Sequence, residues 1–324
     1  MPSFLDYLSG GYDIKVSVAV DFTGSNGAPK KPKSLHYTGG PAPNHYQQAL
    51  SAVLDILLAY DSDDTVDLLG FGGLAKVVPG RKRRQVSHCF PLGDGEYDVN
   101  GGVQGVLAAY EAALEKVPLS GPTNFHEVIR HVVSKVEGGG GVESKAYHVL
   151  LILTDGAITD KKETAHEIVA ASDLPMSIII VGIGKGDFGQ MHKLDSDDAL
   201  LKSKSGTVAK RDIVQFVPFR EFAALGDDAA DQLSAHVLAE LPDQFLQFMS
   251  EWKIQPGGDW GERYIMPEDG WYERSKVSSR SLDFGPSTDA LAGEMAALSL
   301  LNSGVDDDAD ATPDTAIFPE GYEE

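Results

Sequence analysis

Val16-Ser17-Val18-Ala19-Val20-Asp21-Phe22-Thr23-Gly24-Ser25-Asn26-Gly27 is the stretch on which the reading of this chain turns. β-Branched valines alternate with small residues, a pattern that fits a pleated backbone packed on both faces, so residues 14–20 predict a strand. The strand ends in a carboxylate, Asp21. Thr23 and Ser25 follow at alternate positions, and Gly24 and Gly27 bend the backbone. One carboxylate and two hydroxyls on a tight loop can hold a hard divalent cation through oxygen and leave coordination positions open. An open position takes a ligand from another molecule, which suits binding more than catalysis.

A second strand of the same kind lies far along the chain. Residues 147–153 form the most hydrophobic segment and run into Thr154-Asp155-Gly156. Further strands are expected at 66–71, 86–90 (short and antiparallel), 176–181 and 212–217. Helices are expected at 44–60, with Asn44 as N-cap, and at 103–116, 125–136, 161–171, 188–194 and within 227–249. Strands alternating with helices indicate an α/β fold: a doubly wound, mostly parallel six-stranded sheet with helices on both faces. Such sheets bind ligands outside the carboxyl ends of their strands, where strand order reverses. Asp21 and Asp155 both stand at such ends, so they can meet although 134 positions separate them.

Composition narrows the function. The chain has 324 residues, 49 acidic against 27 basic, for a formal charge of −22. Nucleic-acid binding wants a basic footprint, and the one dense basic run, Arg81-Lys82-Arg83-Arg84, reads as a solvated loop. The single cysteine, Cys89, can form neither an internal disulfide nor a cysteine-built zinc cluster. It reads as a small packed hydrophobe in the 86–90 strand, and a reduced, cytoplasmic setting follows. The N-terminus has no basic-plus-apolar leader, Pro2 stands where myristoylation needs glycine, and no apolar run approaches the ~18 residues of a membrane span. A domain over 1–254 is expected, followed at 255–324 by an acidic, mostly extended tail with 16 acidic and 4 basic residues. Within the tail, Leu291, Met295, Leu298 and Leu301 form one stripe, so 287–302 predicts a short amphipathic helix that packs on the parent domain or docks on a partner.

A third loop, Ser120-Gly121-Pro122-Thr123-Asn124-Phe125, precedes a helix and contributes Thr123. Taken singly, Asp21-x-Thr23-x-Ser25 is turn chemistry, Thr123 a helix cap and Asp155-Gly156 a turn. Together at one sheet edge, Asp21, Thr23, Ser25, Thr123 and Asp155 make a candidate metal site. Magnesium favours six oxygens and keeps some of its waters. Neutral hydroxyls do not quench a dication as carboxylates would; if only one Asp ligates directly, the metal stays net positive and an Asp or Glu from outside can complete the shell. Catalytic alternatives lack parts. Thr23 is a poor acid–base partner for a phosphate-transfer aspartate, and no Gly-x-x-x-x-Gly-Lys-[Ser/Thr] run occurs. Gly182-Ile183-Gly184-Lys185-Gly186 reads as a turn. His126 and His131 are five apart, so they do not share a helix face as metal ligands should. Asp61-Ser62-Asp63-Asp64 lacks the spacing and closing Glu of a calcium loop.

The three-loop set resembles the metal-ion-dependent adhesion site of the von Willebrand factor A fold, and more closely its copine branch. The matching stretches begin with Phe4-Leu5-Asp6-Tyr7, the Asp21–Gly27 loop and Ser34-Leu35-His36-Tyr37. Tyr60-Asp61-Ser62-Asp63, Gly70-Phe71-Gly72, Gly121–Phe125 and Leu153–Gly156 continue the series, followed by Leu174-Pro175-Met176-Ser177 and the specific run Arg211–Phe219. The resemblance implies a domain that binds Mg2+ or Mn2+ and recruits protein partners, with Asp21, Thr23, Ser25, Thr123 and Asp155 at the metal. Thr23 stands where the wider fold more often has Ser, and a hydroxyl is kept. Copines carry two C2 domains for calcium-dependent phospholipid binding, and plant relatives that act as ubiquitin ligases end in a RING finger. Neither module is legible here, so direct membrane binding and ligase activity are not expected. The expectation is a non-enzymatic protein-interaction module. The alternatives are a structural subunit with a vestigial metal site and an adaptor in a ubiquitination complex.

Overall fold

A computed structural model describes residues 2–76, 84–195, 199–222 and 229–257. The expected tail at 255–324 lies outside these beyond Gly257, and with it the helix at 287–302. Most of the basic run, 81–83, is outside them too, while Arg84 is exposed and donates to the Lys116 carbonyl at 2.8 Å.

In chain order the elements are α1 (Phe4–Ser9), β1 (Asp13–Asp21), α2 (His45–Leu57), β2 (Val66–Phe71), β3 (Gly73–Lys76), β4 (Gln85–Ser87), β5 (Phe90–Pro91), β6 (Asp98–Val99) and α3 (Gly102–Lys116). There follow α4 (His126–Gly138), β7 (Ala146–Thr154), α5 (Lys161–Ala171), β8 (Met176–Gly182), α6 (Met191–Leu194), β9 (Val214–Pro218), α7 (Ala229–Val237) and α8 (Leu241–Glu251). The main sheet runs β5-β2-β1-β7-β8-β9, with β6 also pairing β2. Five strands are parallel, and the outer edge of β2 is shared by the short antiparallel β5 and β6. The sheet thus has seven strands where six were expected, because two short strands, β5 and β6, share the outer edge of β2. Strand order reverses at β1, which has β2 on one side and β7 on the other.

The alternation of side chains explains the two covered faces. Val18, Val20, Leu68, Leu151 and Leu153 belong to one core with α2, α7 and α8. Ala19, Leu69, Leu150 and Ile152 belong to the other, under α4 and α5. Every residue of β7 from Tyr147 to Thr154 is buried, as a strand covered on both faces requires. Asn44 caps α2: its side chain accepts from the Gln47 N–H while Gln47 Oε1 accepts from the Asn44 N–H.

Two expected elements differ. The strand expected at 86–90 is split. Gln85–Ser87 pairs with β3 as a separate hairpin, and Phe90–Pro91 turns to join β2. Ser87 Oγ bonds the Cys89 carbonyl across the intervening turn, so Cys89 is a half-buried turn residue beside the second core and not part of a strand. The long helix expected within 227–249 is two helices. Pro242 has no N–H to continue a helix and sits in the first turn of α8, where none is needed.

The buried Arg211 holds the far end of the sheet. It is 1% exposed and donates to the carbonyls of Leu174 (2.6 Å), Met176 (2.7 Å) and Gln244 (3.3 Å) and to Tyr147 Oη (3.1 Å). One guanidinium therefore ties α8 to the entries of β7 and β8. Lys15 plays a similar part at the start of β1, where its ammonium meets Asp13, Asp61 and Asp63 at 2.8–2.9 Å. The acidic 61–64 run is occupied by that lysine.

Candidate metal centre

Register brings the carboxylates together. Val20 of β1 lies opposite Leu153 of β7, so Asp21 ends its strand beside Thr154 and next to Asp155. Asp21 is fully buried and its carboxylate accepts five hydrogen bonds. Oδ1 accepts from Thr23 N (2.7 Å), Thr23 Oγ1 (2.5 Å) and Asn26 Nδ2 (3.3 Å). Oδ2 accepts from Thr154 Oγ1 (2.7 Å) and Asp155 N (3.4 Å). A short 3-10 turn at Gly24–Asn26 carries Ser25 over the strand end, where Ser25 Oγ lies 2.9 Å from Thr23 Oγ1 and 2.8 Å from Asp155 Oδ1.

Four of the five expected residues thus form one continuous oxygen chain: Asp21, Thr23, Ser25, Asp155. Thr123 stands on the adjoining loop, 8% exposed, and is linked through backbone. Its loop bridges the first at Thr23–Ser120, and its carbonyl accepts from the N–H (2.9 Å) and hydroxyl (3.2 Å) of Thr159, just beyond Asp155.

Proton supply tests whether this oxygen set fits a cation. Three oxygen–oxygen contacts run from Asp21 through Thr23 and Ser25 to Asp155, and the two hydroxyls bring one proton each. One contact lacks a proton while both carboxylates are ionised. Burial, then the charge of Asp21, pushes the Asp155 carboxyl up to about 7, and burial raises Asp21 as well. A cation would supply the missing positive charge, and five side chains that offer only oxygen, with no nitrogen or sulfur, suit a hard one. Among the described residues no group of three or more His, Cys, Asp and Glu is placed to hold a metal, so any metal here depends on hydroxyls.

Behind Asp21 lies a support that the sequence did not reveal. His36 Nε2 lies 2.8 Å from the Asp21 carbonyl, which can only accept, so Nε2 carries the proton. Burial lowers the imidazole to about 4, so it is neutral and its Nδ1 accepts from Tyr110 Oη at 2.7 Å. The ring stacks on Tyr46 (centroids 4.3 Å), and Tyr46 Oη donates to Asn26 Oδ1 at 2.7 Å. Asn26, His36, Tyr46 and Tyr110 thereby fix both backbone and carboxylate of Asp21. An Asn one position after the last hydroxyl of the loop was the available signal. The histidines of α4 go to separate carboxylates: His126 Nδ1 is 2.7 Å from Asp160 and His131 Nε2 is 3.4 Å from Asp67.

Comparison with known proteins agrees with this architecture. The Copine family model matches residues 34–257. Copine-B of Dictyostelium discoideum is 44% identical over 252 residues, covering 77% of this chain and 45% of that protein. Copine-E of the same organism is 42% identical over 256 residues (79% and 42%), and nicotinic receptor-associated protein 1 of Caenorhabditis elegans is 45% identical over 264 residues (79% and 40%). The chain spans less than half the length of these relatives. Among solved structures, manganese-loaded Plasmodium vivax TRAP protein superposes with a TM-score of 0.40 at 14% identity, covering 68% of this chain and 74% of that one. Proximal thread matrix protein 1 of the mussel byssus gives 0.35 at 16% identity, covering 68% and 45%. These two scores are too low to add to the fold described above. With a family match over 34–257 and 42–45% identity to three relatives, the chain belongs to the copine family.

Proposed function

We propose that this chain is a non-enzymatic protein-interaction module that holds Mg2+ or Mn2+ over Asp21, Thr23, Ser25, Thr123 and Asp155 and grips its partners through that ion. The observation that carries the reading is the proton-poor oxygen chain at the carboxyl ends of β1 and β7, where strand order reverses. A bound dication takes the place of the missing proton. With one of the two aspartates bound directly and neutral hydroxyls in the rest of the shell, the ion stays electropositive, and an Asp or Glu side chain of a partner completes the coordination. Such an attraction is worth roughly 4 kcal/mol per unit-charge pair near a protein surface before desolvation, enough to decide whether a partner stays. Protein partners are favoured by the likeness to nicotinic receptor-associated protein 1. The acidic balance of the chain disfavours nucleic acid, and the lone cysteine suits a cytoplasmic setting. No helix among the described residues is long and apolar enough to cross a membrane.

Titration calorimetry with MgCl2 and MnCl2 tests the ion. The wild type is expected to bind one equivalent and Asp21→Ala and Thr123→Ala to lose it. A wild type that binds neither metal removes the reading. A pull-down with wild type and Asp21→Ala in the presence of Mg2+ then shows which partners depend on the site.

A further inference from the structure

Charge is divided unevenly along this chain. Residues 258–324 carry 16 acidic and 4 basic side chains, a net of −12 of the chain's −22. The loop that leaves the metal-site strand has the opposite character: from Phe22 to Pro43 it holds Lys30, Lys31 and Lys33 and no carboxylate. The lysine run is fastened to the site. Ser34 Oγ, next to Lys33, donates to the carbonyls of Asn26 (3.0 Å) and Gly27 (2.9 Å), and Leu35 N donates to Asn26 O (2.9 Å). Across the site, Lys185 sits between Gly184, whose place a Cβ would fill against Leu35, and Gly186, which packs on the Asp155 carbonyl.

These four lysines are exposed, and none makes an ion pair within the described residues. The lysines that do pair, Lys15, Lys116 and Lys135, lie elsewhere. An unpaired basic rim around an ion with an open position fits an acidic peptide whose carboxylate can reach the metal.

We infer that the chain's own acidic run, Asp306-Asp307-Asp308-Ala309-Asp310 through Asp314, is that peptide: it seats on the Lys30–Lys33 loop and Lys185 and places one carboxylate on the metal, so the tail competes with outside partners. The inference rests on the metal reading proposed above. Reach permits it. Tyr7 Oη bonds Ile254 O at 2.9 Å and Gly10 packs on Gly257, so the described chain ends at the amino end of the sheet, opposite the metal. The nine residues of β1 span about 30 Å between these ends. The 49 residues from Gly257 to Asp306 extend to at most about 160 Å. A tail tethered at that range is present at high effective concentration, and an external acidic partner must displace it.

Paramagnetic relaxation in the full chain tests the idea. Mn2+ is added at one equivalent and amide signals of residues 306–314 are compared with an Mg2+ sample. The expected result is a loss of more than half their intensity in the wild type. Recovery is expected in Lys30→Glu/Lys31→Glu/Lys33→Glu, which leaves every metal-site residue in place and still binds Mn2+. Broadening that persists in Ser25→Ala, an exposed substitution at the site, means that Mn2+ sits on the tail itself and overturns the inference. So does broadening that grows with protein concentration, which assigns the tail to a second copy. Mn2+ binding by calorimetry with unaffected tail signals overturns the inference and leaves the metal reading standing. No Mn2+ binding at all sinks both.

Discussion

Gly72 follows β2 directly and holds φ +76°, and it is packed against Thr23 of the loop that leaves β1. A Cβ at this position overlaps Thr23 Cγ2, while the next atoms, Pro122 O and Thr23 Cβ, lie at ordinary distances of 3.4 and 3.5 Å. Gly72→Ala therefore has two separable penalties. Holding an alanine in the left-handed region costs about 1–2 kcal/mol. Forcing a methyl into the buried Thr23 costs about 1–3 kcal/mol more, because Thr23 is 3% exposed and tied to Asp21 by two hydrogen bonds. Thr23→Ser deletes the overlapping methyl and keeps the hydroxyl, and by itself costs about 1 kcal/mol of lost burial. In the double variant the overlap is gone and the backbone penalty remains. A double-mutant cycle should therefore give a favourable coupling of about 1–3 kcal/mol. The assay is urea unfolding in chelator, so that metal does not contribute, followed by Mn2+ calorimetry on the same proteins. Gly72→Ala should weaken Mn2+ binding and the added Thr23→Ser restore it. Penalties that add within about 0.5 kcal/mol would show that Gly72 is not sterically coupled to Thr23 and refute the reasoning.

Three other outcomes are expected. Arg211→Ala should destabilise by about 3 kcal/mol or more, since it takes the guanidinium donor from the buried Met176 carbonyl and from Tyr147 Oη and leaves a cavity in the core, while Leu174 O keeps only the Met176 N–H. Arg211→Lys should recover only part of this, because an ammonium lacks the fork that spans four acceptors, and equal stability of Lys and wild type in thermal melts would count against the latch. His131 is raised from 6.5 to about 9 by Asp67 first and then by Cys89. A raised imidazole contributes stability that is complete below about pH 6.5 and is lost as pH climbs through about 9. Its 3.4 Å ion pair with Asp67 is partly exposed, so the loss is about 1–2 kcal/mol; His131→Gln should flatten that part of the stability–pH curve, and an unchanged curve contradicts the pairing. Saturating Mg2+ or Mn2+ should raise the melting temperature of the wild type, with a stabilisation of about 2.7 kcal/mol at a hundredfold excess over Kd, and should not move Ser25→Ala. Equal shifts in both would place the ion elsewhere.

Much of the site is visible before folding because its donors sit in short runs. Asp21, Thr23 and Ser25 occur within five residues, and Asp155 ends the most apolar strand, so local pattern marks both. Thr123 is weaker: its loop is legible, but the structure joins it to the others through Ser120 and Thr159 and not through its own hydroxyl. Asn26, His36, Tyr46 and Tyr110 come from a loop and two helices, and no spacing rule unites them. The split of residues 85–91 between two sheets was equally hidden, since alternation along a short strand does not say which edge accepts it.

By itself the sequence determined that this is a parallel α/β sheet, because strands apolar on both faces need helices on both sides. It also determined that two carboxylates, Asp21 and Asp155, stand at the carboxyl ends of apolar strands; that these strands are neighbours came from the sheet itself. What only the tertiary structure decided is the register that sets Val20 against Leu153 and so brings Asp155 within reach of Ser25. Register and side-chain hydrogen bonds depend on contacts 130 or more residues apart, and no local preference encodes a separation of that size. The chain of oxygens from Asp21 to Asp155, one proton short while both carboxylates are ionised, exists only once those contacts have formed.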